Sequence, residues 1–469
     1  MAIGTPTSTT AAPARLANAP FDAEACIIGA GPSGLAAGKA LADRGIAFDW
    51  LEKGSMVGGL WQINNDNGDV AAYQTLHLNS SRTQTQFPSY PMPAHWPDYP
   101  RHTLVARYFE DFARAHGLVE RITFRAEVTR VAPLPGPGAP GQHGWAVTTT
   151  TTGTRRYRSV VVANGHHSRP RIPSFPGTFT GESFHAHAYR DPLVFSGKSV
   201  VIVGVGNSGM DLACDAAKLA DQVHLVTRRG VHVLPKYAFG RPIDTLGHPL
   251  TAYLPFEVER RLYEVIVRTS SGRPQDRGLP APDHRLLGAH PTVSAELYDR
   301  VGHGDVVMKP QVDRLDGDSI HFVDGSAVRA DLLVYATGYD IELPFFDAAV
   351  YDPAGNRMPL YQRVLSPARP GLFFIGFIQT VGANVPLFEY QAEWVGDLLT
   401  GAATLPDGAE MQRWIERDQA AMARRYTHSE RHTMQVDYWR YIRSMKSARA
   451  RKSQPSLLGR IAAPLAGAR

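Results

Sequence analysis

Two glycine turns carry the plainest chemistry in this 469-residue chain. In GAGPSG the glycines are Gly29, Gly31 and Gly34; in GVGNSG they are Gly204, Gly206 and Gly209. Glycines at this spacing let a strand turn sharply into a helix and bring backbone amides close to a pyrophosphate. The strand after the first turn ends on Glu52, placed to accept hydrogen bonds from ribose hydroxyls. The strand after the second ends on Arg228 and Arg229, and a guanidinium there can pair with a ribose 2′-phosphate that a carboxylate would repel. The first turn therefore reads as a dinucleotide site rather than a bland glycine turn. The second reads as an NADPH site, against the alternative of a solvated basic loop.

Each turn needs a βαβ unit to hold it. In the first, a buried strand over Ala25 to Gly29 precedes a helix running to about Arg44 and a second strand ending at Glu52. The second repeats this with a strand over Ser199 to Val203, a helix from about Ser208 and a strand over Gln222 to Thr227. The acid-ended site and the arginine-ended site call for different nucleotides. FAD in the first and NADPH in the second is the economical assignment, with the flavin performing the chemistry.

The fold class expected is α/β, with two Rossmann-like dinucleotide-binding domains and the NADPH domain inserted into the FAD domain. The expected boundaries are a lead-in over 1–20, a discontinuous FAD domain over 21–170 and 331–450, an NADPH domain over 171–330 with a helical and loop insertion at 235–295, and a basic tail over 451–469. DLLVYATGYD reads as a buried strand ending in a tight turn, PLPGPGAPG as a surface loop, and the stretch from Asp407 to about Arg451 as amphipathic helix.

Bulk properties narrow the function. The net charge of +5 and pI near 9.1 are concentrated in the C-terminal RSMKSARARKSQPSLLGR, so no nucleic-acid surface is expected. The two cysteines, Cys26 and Cys214, form no CxxC pair and read as core residues in a reducing, cytoplasmic compartment. No apolar run is long enough to cross a bilayer. MQVDYWRYIRSMKSARARKS either touches an acidic membrane surface or packs across the domains through Val436, Tyr438, Trp439 and Tyr441. FPSYPMPAHWPDYP reads equally as a pocket wall and as a stiff surface loop.

Together these motifs resemble the flavin-containing monooxygenases, from about Glu24 to Tyr441. GAGPSGL with EKGSMVGGLWQ is similar to the family's FAD site, LHLNSSR to its active-site segment, GVGNSGMD with the arginines to its NADPH site, and YATGY to its late linker. FFIGFIQTVGANVPLFEYQAEW resembles its closing flavin-side segment, and Phe179, Gly181, His185 and Tyr189 match its identifying pattern. Tyr189 stands where Baeyer–Villiger enzymes of the same class usually carry Trp.

The resemblance implies roles residue by residue. Gly29, Gly31, Pro32, Ser33, Gly34, Glu52 and Lys53 contact the FAD diphosphate and ribose, and Gly59, Leu60 and Trp61 follow its length. Asn79 sits beside the isoalloxazine ring, with Gly165 and Gln379 approaching from other segments. Gly204, Gly206, Asn207, Ser208 and Gly209 hold the NADPH diphosphate, Thr337 lies where the nucleotide domains meet, and Tyr189 faces the nicotinamide side. The implied activity is NADPH- and O2-dependent oxygenation of soft nitrogen or sulfur atoms in small molecules through a C4a-hydroperoxyflavin, with Asn79 hydrogen-bonding the intermediate. Without the resemblance, NSSR is turn chemistry. The same cofactors also serve Baeyer–Villiger oxygenation of ketones or an uncoupled NADPH oxidase. A homodimer is implied by the resemblance alone.

His185 and His187, in FTGESFHAHAYRD, share a strand face, but no Cys, Asp or Glu at ligand spacing completes a metal set. The stretch reads as the crossover between the two nucleotide units. The substrate pocket is expected from residues 60–100, 235–290 and 380–390.

Overall fold

The computed structural model describes residues 21–134, 144–426 and 433–452. The lead-in, most of PLPGPGAPG and the basic tail beyond residue 452 lie outside the described residues.

The first sheet begins with Ala23–Ile28, whose last four residues are all buried, as expected for a parallel strand covered on both faces. Its order is Ile122–Thr123, Phe48–Leu51, Ala23–Ile28, Gly153–Val162, Trp145–Thr149 and Val128–Pro133, and Leu372–Phe374 also pairs with Gly153–Val162. The helix Pro32–Ala42 follows the first turn, with proline in its opening turn where no backbone N–H is needed. Its small residues admit close packing: a Cβ on Gly38 would sit 2.1 Å from the Trp50 ring. The helix Val385–Leu399 covers its other side.

The second sheet is entirely parallel, in the order Val307–Lys309, Gln222–Val226, Ser199–Val203, Leu332–Tyr335 and Glu182–His185. The strand in DLLVYATGYD, expected to open the return of the FAD domain at 331, instead pairs with Ser199–Val203. Its four buried apolar residues fill the centre of the second sheet, so the return starts beyond Tyr335. Two connections join the sheets, and they pair with each other: Arg169–Pro170 runs antiparallel to Tyr339–Asp340. The Arg171 guanidinium pairs with Asp340, and the Thr337 hydroxyl donates to the Arg171 carbonyl.

The C-terminal stretch is not one helix. Gly408–Arg425 and Tyr438–Arg449 are separated by Gln435–Val436, which forms a parallel strand pair with Gln379–Thr380. That pairing requires extended backbone, which overrides the amphipathic pattern on either side. Val436 and Tyr441 are buried and Tyr438 and Trp439 partly so, packed against the core that surrounds the first helix.

Candidate active site

The two glycine turns have nearly identical geometry. Gly29 has φ of +103° and Gly204 of +114°, both in the region that favours glycine. A Cβ on Gly34 would lie 1.9 Å from the Gly29 carbonyl oxygen, and one on Gly209 would lie 1.9 Å from the Gly204 carbonyl oxygen. The helices that follow, Pro32–Ala42 and Asn207–Ala216, have no side-chain bond at their N-caps. Their first-turn amides are therefore left for an anionic ligand. Pro32, Ser33 and Gly34 open the first helix and Asn207, Ser208 and Gly209 the second. This cradle fits the diphosphate of a dinucleotide in both units.

Glu52 is buried beside the first turn. One carboxylate oxygen accepts the Ala30 amide at 2.6 Å and the other the Gly54 amide at 2.7 Å. Burial pushes its pKa up while these two amides pull it back. Each oxygen keeps a second lone pair, so the brace leaves capacity for ribose hydroxyls. Lys53 pairs with Asp69 at 2.5 Å. Gly59, Leu60 and Trp61 form a short 3-10 turn whose Gly59 packs against Gly31, where a Cβ would meet the Gly31 Cα at 3.1 Å. Gly165 has φ of +82° and open space where a side chain would stand.

In the second unit Arg229 pairs with Asp283 at 3.3 Å, whereas Arg228 has no ion pair among the described residues. The two expected phosphate ligands are thus unequal, and Arg228 is the one whose charge is available. The Asn207 side-chain oxygen accepts the Val293 amide at 2.9 Å, so this side chain stitches a neighbouring loop over the turn.

Tyr189 departs from expectation. It is 1% exposed, its hydroxyl donates to Asp215 at 2.9 Å, and its ring packs on Phe195 and Tyr73. A side chain sealed in this core cannot touch the nicotinamide, and it supports the second unit's helix instead. His185 and His187 flank Tyr339, with ring centroids 5.2 and 5.7 Å away, and the His187 amide donates to His185 Nδ1. Burial, with His187 adding, lowers the His185 pKa to about 4 and keeps the ring neutral. The crossover stretch therefore grips the return connection just past Thr337.

Asn79 borders a cleft enclosing about 1110 Å³, part of it open to solvent. The same cleft is lined by Leu234, by Ile243 and Leu286 from the second unit's insertion, and by Val381 just past Gln379. The three stretches expected to form a pocket meet here, and Tyr438, Trp439 and Arg440 from the C-terminal segment join them. FPSYPMPAHWPDYP lies outside this lining. Segment 78–81 is held from the second unit: the Asp244 carboxylate accepts the Ser81 amide at 2.6 Å, and the Lys236 ammonium donates to the Leu78 carbonyl at 3.4 Å.

Sequence reasoning missed the polar contacts behind this segment. Tyr73 donates to Asp211 at 2.7 Å and Thr75 to Asp215 at 2.5 Å. The two carboxylates, one helical turn apart immediately after GVGNSG, were the available signal, because acids on the buried face of a helix require partners.

Two sheets, each opening on a dinucleotide cradle, and a cleft lined by the Asn79 segment, the second unit's insertion and the C-terminal segment define a two-dinucleotide fold. A family model described as flavin-binding monooxygenase-like matches residues 23–461. The chain is 33% identical over 434 residues to flavin-containing monooxygenase 5 of Rattus norvegicus, covering 88% of this chain and 80% of that one. It is 32% identical over 439 residues to flavin-containing monooxygenase 3 of Homo sapiens, covering 90% and 81%. In fold it is similar to S-allyl-L-cysteine S-oxygenase from Allium sativum, with a TM-score of 0.67, 24% identity and coverage of 94% and 91%. A steroid monooxygenase bound to NADP gives a TM-score of 0.66 at 19% identity, with coverage of 91% and 97%.

The chain belongs to the flavin-containing monooxygenase family. It is an NADPH-dependent flavoprotein monooxygenase that uses FAD and O2 to oxygenate nitrogen or sulfur atoms of small molecules. Among the described residues no helix is long and apolar enough to cross a membrane.

Proposed function

We propose that the cleft beside Asn79 is where the soft atom of the substrate is oxygenated, with FAD held by the first unit and NADPH by the second. One observation carries this reading: Asn79, the insertion of the second unit and the C-terminal segment converge on one largely apolar cleft. Reduced by NADPH, bound FAD supplies the activated oxygen.

The chain's own residues do the rest. The amides after Gly29 and Gly204 hold the two diphosphates, Glu52 takes the adenosine ribose of FAD, and Arg228 takes the 2′-phosphate of NADPH. Gly59, Leu60, Trp61, Gly165 and Gln379 bound the flavin, and Thr337 ties the crossover to the return connection. Asn79 donates its amide to the reacting oxygen. Leu234, Ile243, Leu286 and Val381 exclude water, so hydrogen bonds there act in a low dielectric.

The test is product analysis with NADPH, O2 and either a sulfide or a cyclic ketone. Sulfoxide formed in step with NADPH consumption supports the reading. Lactone alone, or hydrogen peroxide alone, overturns it. A cytoplasmic location and a homodimer belong to the same proposal. The free, buried Cys26 and Cys214 agree with a reducing compartment, and sedimentation of the holoenzyme checks the dimer.

A further inference from the structure

The lining of the cleft is not electrically neutral. Five charged side chains border it: Asp244, Glu259, Asp437, Arg425 and Arg440. Four of these satisfy one another. Arg440 pairs with Glu259 and with Asp437, each at 3.0 Å, and Arg425 also pairs with Asp437. Asp244 has no ion pair among the described residues. One of its oxygens accepts the Ser81 amide, and the other is buried without a partner. The nearby Lys236 ammonium is directed elsewhere, at the Leu78 carbonyl and over the Tyr99 ring.

A half-satisfied carboxylate beside an apolar cleft is costly unless a cation completes it. Its surroundings favour one kind of cation. Tyr263, Tyr438 and Trp439 line the same cleft, and aromatic faces attract alkylammonium groups. The Tyr263 hydroxyl and Trp439 Nε1 converge on Gly247, where a Cβ would stand 2.9 and 3.4 Å from them, and Gly247 lies just past Asp244 in the chain. Burial raises the Asp244 pKa, and the hydrogen bonding of Ser81 only partly offsets it.

We propose that Asp244 sets specificity: the preferred substrates carry an alkylammonium group, held by Asp244 among the aromatic rings, and a separate soft atom that is oxygenated near Asn79. The two points are close in the chain, because the residue that Asp244 grips, Ser81, is two positions from Asn79. The held nitrogen is not the atom oxygenated, since a protonated or quaternary nitrogen has no lone pair to attack oxygen. The inference rests on the cleft being the substrate site.

The test uses the FAD-loaded holoenzyme and two sulfides of equal shape. One carries a trimethylammonium group three carbons from sulfur, and the other carries tert-butyl in its place. The quaternary nitrogen cannot itself be oxygenated, so sulfoxide is the only product compared. The wild type is expected to favour the cationic sulfide by about tenfold or more in kcat/KM. Asp244→Asn keeps an acceptor for the Ser81 amide and is expected to bring the ratio close to one, whereas Asp244→Glu retains a preference. Equal handling of both sulfides by the wild type, or a preference that survives Asp244→Asn, overturns the proposal. Calorimetric binding of the cationic sulfide and its isostere to the oxidised holoenzyme gives the same comparison without turnover. Ammonium-selective binding with no sulfoxide from either probe would count against the proposed function while supporting the Asp244 assignment.

Discussion

The Tyr73 hydroxyl donates to the Asp211 carboxylate at 2.7 Å. Tyr73 belongs to the segment that leads to Asn79, and Asp211 lies on the helix opened by GVGNSG. One turn further along that helix, Asp215 accepts from Thr75 and from Tyr189. Two carboxylates on the buried face of a single helix therefore fasten the segment bearing Asn79 to the unit that holds the second cradle.

This fastening gives a pH dependence. Burial, with smaller contributions from Asp215 and Glu296, pushes the Asp211 pKa up to about 6, against the Tyr73 hydrogen bond and Lys236, which lower it. Below the unfolded value of about 4 the acid is protonated in both states, and its contribution is fully present. As pH rises through about 6 the folded state must ionise it in a buried site, and that stability is lost. Asp211→Asn, which keeps the acceptor for Tyr73, should therefore gain on the wild type between about pH 4 and 7, by up to roughly 3 kcal/mol. Melting temperatures of the two proteins across this range check it. A difference independent of pH would count against the buried ionisation.

The matched glycines separate the two cofactors. Alanine at Gly34 or Gly209 places a Cβ 1.9 Å from a backbone carbonyl oxygen, which cannot move aside as a side chain can. Each substitution should cost about 1 to 3 kcal/mol. Gly34→Ala should purify with little bound flavin. Gly209→Ala should keep its flavin and accept electrons from dithionite, yet be reduced slowly by NADPH. Flavin absorbance decides both, and loss of flavin from Gly209→Ala would reverse the assignment of the second cradle.

Arg228 and Arg229 should behave differently although they are neighbours. Arg228→Ala is expected to weaken NADPH by about 1.5 to 3 kcal/mol and leave NADH unaffected. Arg229→Ala should change the preference less, because Asp283 already holds that guanidinium. The ratio of kcat/KM for the two nucleotides measures this, and an unchanged ratio in Arg228→Ala removes the assignment.

Asn79→Ala removes one preorganised donor at the reacting oxygen, an effect of about 2.7 to 4 kcal/mol where charge develops. Product per NADPH should fall and hydrogen peroxide should rise. Full coupling in this variant would exclude Asn79 from that role.

The sequence alone was enough for what depends on local geometry. Gly29 and Gly204 announce their turns because their positive backbone angle favours glycine, and Gly34 and Gly209 because a carbonyl oxygen lies where Cβ would be. Glu52 and Arg228 stand out in the sequence by their places at strand ends, and residues from all three stretches expected to form the pocket line one cleft. What sequence could not supply depends on which distant groups meet. Leu332–Tyr335 looks like any buried strand, and only pairing with Ser199–Val203 decides its sheet. Tyr189 looks like a cofactor contact until packing on Phe195 seals it. Arg228 and Arg229 are equivalent as letters, and Asp283, more than fifty positions away, makes them unequal. Asp244 is an unremarkable loop acid until the arginines beside it are found committed to Glu259 and Asp437. Backbone conformation is set by neighbours in the chain and is written in the sequence, whereas burial and charge pairing are set by neighbours in space and exist only once the chain has folded.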